Sequence, residues 1–320
     1  YIMSLIGYAL YPIFTFILLA WTCVSYYMLK QVADKFQKYQ YRQLVEIICP
    51  KYIGVIVALC QIIFVFGSLT SYCIVCKNNF FFFNGDTKKL YSGLLLSGIM
   101  VIIVLPLCYL RSLQSLKFNS ILDISVMVFQ SIVLLVLLTQ QSSFTQPVIA
   151  KTESLFALPL LIHSFVAILQ FNFLNLYKEL QNRQNNIKKV IAYDKIALAA
   201  VYFSVGYFGY FRFGGDVKPN VMVNISQIEN GLTYTANCAM ILLVIVHHPV
   251  VVYPMRKSIE SLFKEVKRTH EIVIATLIII SSTILGCVLD SVDNVLDFTS
   301  SLCGGIMGLV VPGLLFTQIN

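Results

Sequence analysis

The residues whose types and spacing carry chemistry here are polar side chains set inside long apolar runs. One run holds Pro159, His163, Ser164, Gln170, Asn172 and Asn175. Burying such groups in lipid is costly, so polar residues at membrane depth mark solute and ion pathways. Pro159 removes a backbone donor and strains the preceding turn. A helix broken there frees carbonyls and amides that can meet a zwitterion or an ion. The same residues also fit a kinked helix whose polar groups bond to neighbouring helices.

A second run carries Thr233, Tyr234, Thr235 and Asn237 near one end, His247-His248-Pro249 deeper, and Pro254 at the other end. Imidazole titrates near neutral pH, which makes His247 and His248 candidates for coupling a proton or other ion to solute movement. The alternative is a histidine bonded to a carbonyl across a helix interface. Enzyme and metal chemistry are not expected. H-E-x-x-H, G-x-S-x-G and P-loop patterns are all missing, and no carboxylate stands at ligand spacing from His163, His247, His248 or His270. The nine cysteines read as small buried hydrophobes. Cys73-x-x-Cys76 has no β-α-β context that would make it a redox pair. No cofactor is implied beyond a coupling ion, H+ or Na+.

The elements that position these residues are membrane helices. The chain is 58% hydrophobic and 12% charged, with a mean hydropathy of +0.79. Its apolar runs last about 18 to 25 residues, the length a helix needs to cross a bilayer. Nine spans are expected, at about 1–29, 52–76, 93–110, 118–138, 153–177, 190–211, 231–253, 272–289 and 298–316. They form one transmembrane domain over residues 1–320.

Lysine and arginine placement supports that count. Alternating loops hold sixteen basic residues on one side (among them Lys30, Arg42, Arg111, Arg183 and Arg256) and six on the other, with Lys195 inside a span. The richer side is expected to be cytoplasmic. Asp290, Asp293, Asp297 and the sequon at Asn224 then fall outside, which makes Asn224 a candidate glycosylation site. The +8 formal charge lies in inter-helix loops rather than on one face, so membrane lipids and not nucleic acid are the expected surroundings. An odd span count puts the start of the first span outside, so a further span is expected before Tyr1.

Ordered local patterns resemble the amino acid/auxin permease family, which includes sodium-coupled neutral amino acid transporters and vacuolar amino acid transporters. They are Leu105-Pro106-Leu107 with Leu110-Arg111-Ser112-Leu113, Leu158-Pro159 through Tyr177-Lys178-Glu179-Leu180, Phe208-Gly209-Tyr210, and His248-Pro249 through Tyr253-Pro254-Met255-Arg256. The resemblance implies an all-α polytopic fold of two inverted five-helix repeats, with the family's first and last helices lacking from this chain. It implies a substrate site lined by Ser164, Phe165, Val166 and Ala167, to which the polar Gln170 and Asn172 are added. It aligns His247 with a hydroxyl residue that helps hold sodium in sodium-coupled members. Imidazole is a poor sodium ligand, which favours a proton.

The expected function is ion-coupled secondary transport of amino acids by alternating access. The expected setting is the plasma membrane or a vacuolar or lysosomal membrane, with a monomer the expected state outside a larger assembly. The competing reading is a non-transporting amino acid sensor or a structural subunit of a membrane complex.

Overall fold

A computed structural model describes residues 1–84, 89–109, 117–141, 147–151, 157–263 and 265–318, without side chains at 81–84, 89–92, 117–118 and 166–172. The described residues form helices and no strand. In chain order the helices are α1 (Ile2–Ile6), α2 (Leu10–Phe36), α3 (Tyr41–Ile48), α4 (Lys51–Asn84), α5 (Lys89–Ile99), α6 (Leu105–Cys108), α7 (Lys117–Thr139), α8 (Leu158–Ile162), α9 (Ile168–Glu179), α10 (Arg183–Phe213), α11 (Val221–Ile225), α12 (Gly231–Glu260), α13 (Arg268–Val288), α14 (Val292–Thr299) and α15 (Val311–Thr317). π-helical turns join α5 to α6 (Met100–Val104) and α8 to α9 (His163–Ala167). Two more, Ser300–Gly304 and Ile306–Val310, lie between α14 and α15.

Among the described residues, seven helices are long and apolar enough to cross a bilayer. This is an all-α integral membrane protein. The helices at Gly93–Cys108 and Leu158–Glu179 stand where two further spans were expected. Large apolar side chains face outward all around the bundle, among them Ile102, Ile121, Ile196 and Leu277. A soluble protein hides such groups, and lipid accepts them.

The main core is built from α2, α4, α9, α12, α13 and α15, around Leu29, Phe64, Leu69, Tyr177, Val252, Ile278 and Met307. Close approach at its centre depends on Gly67. A Cβ there would lie 2.4 Å from the Thr299 side chain. Gly67 of α4 thus serves packing, as small residues do between membrane helices.

The first apolar run departs from its expected form. It was read as one span over 1–29, but it divides at Gly7, which has φ 90°. A Cβ at Gly7 would collide with the Ile149 carbonyl at 2.5 Å. The backbone at this break is satisfied by the segment after α7. Tyr8 N–H donates to Val148 O (3.2 Å), Ala9 N–H to Ile149 O (3.1 Å), and Lys151 N–H to Ile6 O (3.1 Å). Lys151 Nζ also donates to Ser4 O at 2.6 Å, placing a cation on the last carbonyls of α1.

Helices also outrun their apolar runs at the basic end. α2 continues to Phe36 and α12 to Glu260. Pairs one turn apart hold these polar extensions, Lys30–Asp34 at 3.3 Å and Lys257–Glu260 at 2.6 Å.

Side-chain ties join helix ends in two groups. At the basic end the buried Arg256 of α12 donates to Cys108 O at 2.7 Å, and Arg268 donates to Tyr109 O at 2.8 Å. At the opposite end the buried Lys77 of α4 meets Cys287 O (3.1 Å), Leu289 O (2.7 Å) and Asp290 Oδ1 (3.0 Å). Lys77 thereby covers the C-terminal carbonyls of α13, where a cation is favoured. Each tie joins ends that the charge pattern assigns to one side.

Candidate functional site

Leu158–Glu179 was expected to break near its middle. It instead stays helical, widened by the π turn at His163–Ala167. Such a turn upsets the i→i−4 ladder and recurs at functional sites. Two side chains use the altered backbone. Thr22 of α2 donates to Phe165 O at 2.8 Å, sharing its hydroxyl with Leu18 O at 2.7 Å. Ser164 Oγ turns back to Leu160 O at 2.8 Å, which leaves its oxygen able to accept from a ligand.

His163 ties this turn to two other elements. Its Nδ1 lies 2.9 Å from Ser300 Oγ in the facing π turn, and Ser68 Oγ of α4 is 3.5 Å from its Nε2. Its ring stacks on Phe64, with centroids 4.6 Å apart. His163 is therefore a joint between helices and not a wall of the cavity.

On the other face of the same turn, a cavity of about 320 Å³ opens between α1, α2, α8, α10 and α14. Ser164, Phe165, Tyr11, Tyr202 and Asp293 are among its lining residues. Phe165 meets Tyr202 edge to face at 4.9 Å, and the Tyr11 hydroxyl donates to Tyr202 O at 3.3 Å. Asp293 brings a carboxylate, whose Oδ2 accepts from the Tyr1 hydroxyl at 3.2 Å. The size fits a small solute. Ser164 and the Asp293 carboxylate can accept from an ammonium, and the aromatic rings offer an apolar surface to a side chain.

Towards the basic end, α9 is shut against α2. The buried Tyr177 hydroxyl donates to Asp34, 2.8 Å from each carboxylate oxygen. Tyr26 stacks on Phe173 at 4.2 Å, Phe173 on Tyr177 at 6.0 Å, and the Arg183 guanidinium lies 5.4 Å over the Tyr177 ring.

Of the residues expected at the substrate site, Ser164 and Phe165 line this cavity. Val166, Ala167, Gln170 and Asn172 lie on the same helical stretch, but their side chains fall outside the described residues. The polar patch at the start of α12 has local duties. Asn230 and Thr233 form a capping box, Asn237 donates to Thr233 O at 2.8 Å, and Thr235 donates to Gly231 O at 2.8 Å.

His247 has a partner the sequence did not reveal. Its Nδ1 stands 2.7 Å from Asp123 Oδ2 on α7. His248 is fully buried, with neither ring nitrogen hydrogen-bonded among the described residues. Asn224 is 3% exposed, and both its amide atoms are engaged. Oδ1 accepts from Lys218 N–H at 2.7 Å, and Nδ2 donates to Asp216 O at 3.0 Å. In the folded chain that nitrogen holds a loop, and a glycan there would have to displace it.

No group of three or more His, Cys, Asp or Glu residues able to hold a metal occurs among the described residues. Residues 1–319 match the family described as transmembrane amino acid transporter protein.

The chain belongs to that family. It is 23% identical over 249 residues to the amino acid transporter AVT6E of Arabidopsis thaliana, covering 69% of this chain and 50% of that protein. It is 22% identical over 302 residues to the sodium-coupled neutral amino acid symporter 2 of Danio rerio, covering 79% of this chain and 58% of that protein. The chain thus spans little more than half the length of these relatives. The Asp123 carboxylate, the Tyr11 and Tyr202 rings and the Tyr177–Asp34 closure all lie on family helices, but only the folded packing brings them together.

Proposed function

We propose that the protein carries amino acids across its membrane by alternating access, coupled to an ion. The observation that carries this reading is the cavity of about 320 Å³ against the π turn at Ser164 and Phe165, with the Tyr177–Asp34 contact towards the other end of the same helical stretch. A solute would enter past Asp293, lay its ammonium against Ser164, and rest its side chain on Phe165, Tyr11 and Tyr202. Parting Tyr177 from Asp34 would release it inward.

The finer architecture follows as part of the proposal. Nine spans in one domain, with Gly93–Cys108 and Leu158–Glu179 as the two short ones, agree with the grouping of helix-end ties by side. Two inverted five-helix repeats agree with family membership. A monomer in the plasma membrane or in a vacuolar or lysosomal membrane is the working state. The proton is preferred to sodium, with His247 and His248 as the candidate coupling residues, because imidazole nitrogen is a poor ligand for sodium.

The test is uptake of a panel of labelled amino acids by the full-length protein in sealed liposomes. Each would be run with a proton gradient, with a sodium gradient, and with neither. Saturable uptake that follows one gradient supports the proposal. Folded protein that moves none of the panel would replace it with the sensor or structural-subunit reading.

A further inference from the structure

The pair His247–Asp123 sits where α12 packs on α7, away from the solute cavity. The two positions are 124 residues apart in the chain, and the fold sets imidazole Nδ1 2.7 Å from carboxylate Oδ2. Asp123 stands six residues into α7, about 9 Å along the helix from its basic end. The side chains keep 29% and 23% exposure. The other carboxylate oxygen, Oδ1, is buried and has no hydrogen-bond partner among the described residues. A buried oxygen left unpaired is costly and calls for an explanation.

We infer that His247 and Asp123 together form the site at which the protein takes up and releases its coupled proton. This inference rests on the transport reading above and adds to it the site and the partner residue.

The charge balance is simple. With Nδ1–H donating to Oδ2, the imidazole is neutral and the pair carries one negative charge from Asp123. One proton arriving at Nε2 makes an imidazolium facing a carboxylate, with no net charge. Loss of that proton to the other side restores the starting state, and no other bond is made or broken.

The physical consequence is a switch at the α7–α12 interface. A lone carboxylate in a low-dielectric interface is costly, and a hydrogen-bonded ion pair is less so. Proton binding therefore favours the closely packed interface, and proton loss favours a parted, hydrated one. A ligand shifts such an equilibrium only through its different affinity for the two states, and the change in net charge supplies that difference.

α7 also packs on α10, whose charged and titratable residues include Asp194, Lys195 and Tyr202, with Lys195 held by Asp194 at 2.9 Å. From α4 the Tyr72 phenol ring meets His247 edge-on at 5.8 Å, and on α12 itself His248 is adjacent. The π turn Met100–Val104 has no titratable residue, and α6 has only Cys108. The titratable residues of α13 are Arg268, His270 and Glu271 at one end and Cys287 at the other. Arg268 is bound to Glu271, His270 lies by Lys267 N–H, and Cys287 by Gly93 and Ser97. The donor set also excludes sodium as the natural occupant, because that ion takes a shell of oxygens and the pair sets a nitrogen against one carboxylate.

The experiment uses the full-length protein in liposomes that trap a pH-sensitive dye. The probe is the amino acid from the labelled panel that the wild type carries best. One proton per solute makes an imposed gradient of one pH unit worth about tenfold in accumulation. The expected wild-type result is that stimulation, with protons entering alongside the label. In Asp123→Asn and His247→Gln the ratio of uptake with and without the gradient falls to about one, and in Asp123→Glu the stimulation persists.

Stimulation in Asp123→Asn and His247→Gln equal to the wild type would overturn the assignment. So would wild-type uptake with no proton movement, a result that needs no variant to fold and leaves the transport reading standing. Wild-type protein that moves no amino acid at all would instead remove the transport reading, and this inference with it.

Discussion

The Tyr177 hydroxyl lies 2.8 Å from each carboxylate oxygen of Asp34, clasping the end of α9 to α2. The aromatic stack of Tyr26, Phe173 and Tyr177 backs this contact. The π turn above it holds a cavity on the opposite side. One helical stretch thus carries the cavity near one end and the Tyr177–Asp34 contact near the other.

Tyr177→Phe removes the hydroxyl and keeps the ring. A hydrogen bond to a charged group contributes about 1.5–3 kcal/mol, so this contact should open about 10- to 100-fold more often. Hydrogen exchange along Ile168–Glu179 reads this directly. Unchanged exchange would show that the stack alone shuts the inner end.

Ser164→Leu puts a branched side chain into the cavity without touching the His163 joint. Uptake should fall at least tenfold, while the melting temperature in detergent stays within a few degrees. Ser164→Ala should mainly raise KM, because it removes an acceptor and leaves the space open. Full activity in Ser164→Leu would move the solute path elsewhere.

His163→Ala should be far more damaging to stability than Ser300→Ala. The first loses a buried ring stacked on Phe64 and should cost about 3–5 kcal/mol, as buried aromatic truncations do. The second leaves one ring nitrogen without its 2.9 Å partner and should cost about 1–3 kcal/mol. Thermal unfolding in detergent compares them, and equal losses would refute the joint.

Asn224 should be found unglycosylated in the folded protein. Endoglycosidase treatment should leave its mobility on a gel unchanged. Asn224→Ala should lower stability by about 1–3 kcal/mol, since Lys218 N–H and Asp216 O lose their partner. A mobility shift that disappears in Asn224→Gln would contradict this.

Much of the fold was legible because lipid enforces a simple rule. Each apolar run must form a helix, and charges must stay at the ends, so Lys and Arg placement tracks helix direction. The break at Gly7 was hidden because it depends on backbone 140 residues away, at Val148 and Ile149. The middle of Leu158–Glu179 was read as a break, since Pro159 signals distortion but not its kind. Pro159 lies in the first turn of α8, where its missing N–H costs little, and the distortion appears as a π turn one turn later.

Ser164 and Phe165 were legible as site residues, and Asp123 was not. It lies near the basic end of its helix, and only the packing of α7 on α12 shows what it faces. The Asn230-x-x-Thr233 pattern does carry a capping signal, which explains Thr233 among the polar groups at the start of the second run.

Alternating access is tested most directly by counterflow. Liposomes holding the full-length protein would be loaded with an unlabelled amino acid that the protein carries, then diluted into a trace of the same labelled compound with no ion gradient. The account predicts a transient accumulation of label above its equilibrium level, lost in Ser164→Leu, because a single site shuttles between the two sides. Label that only relaxes to equilibrium, or never enters, from protein shown to be folded would contradict it.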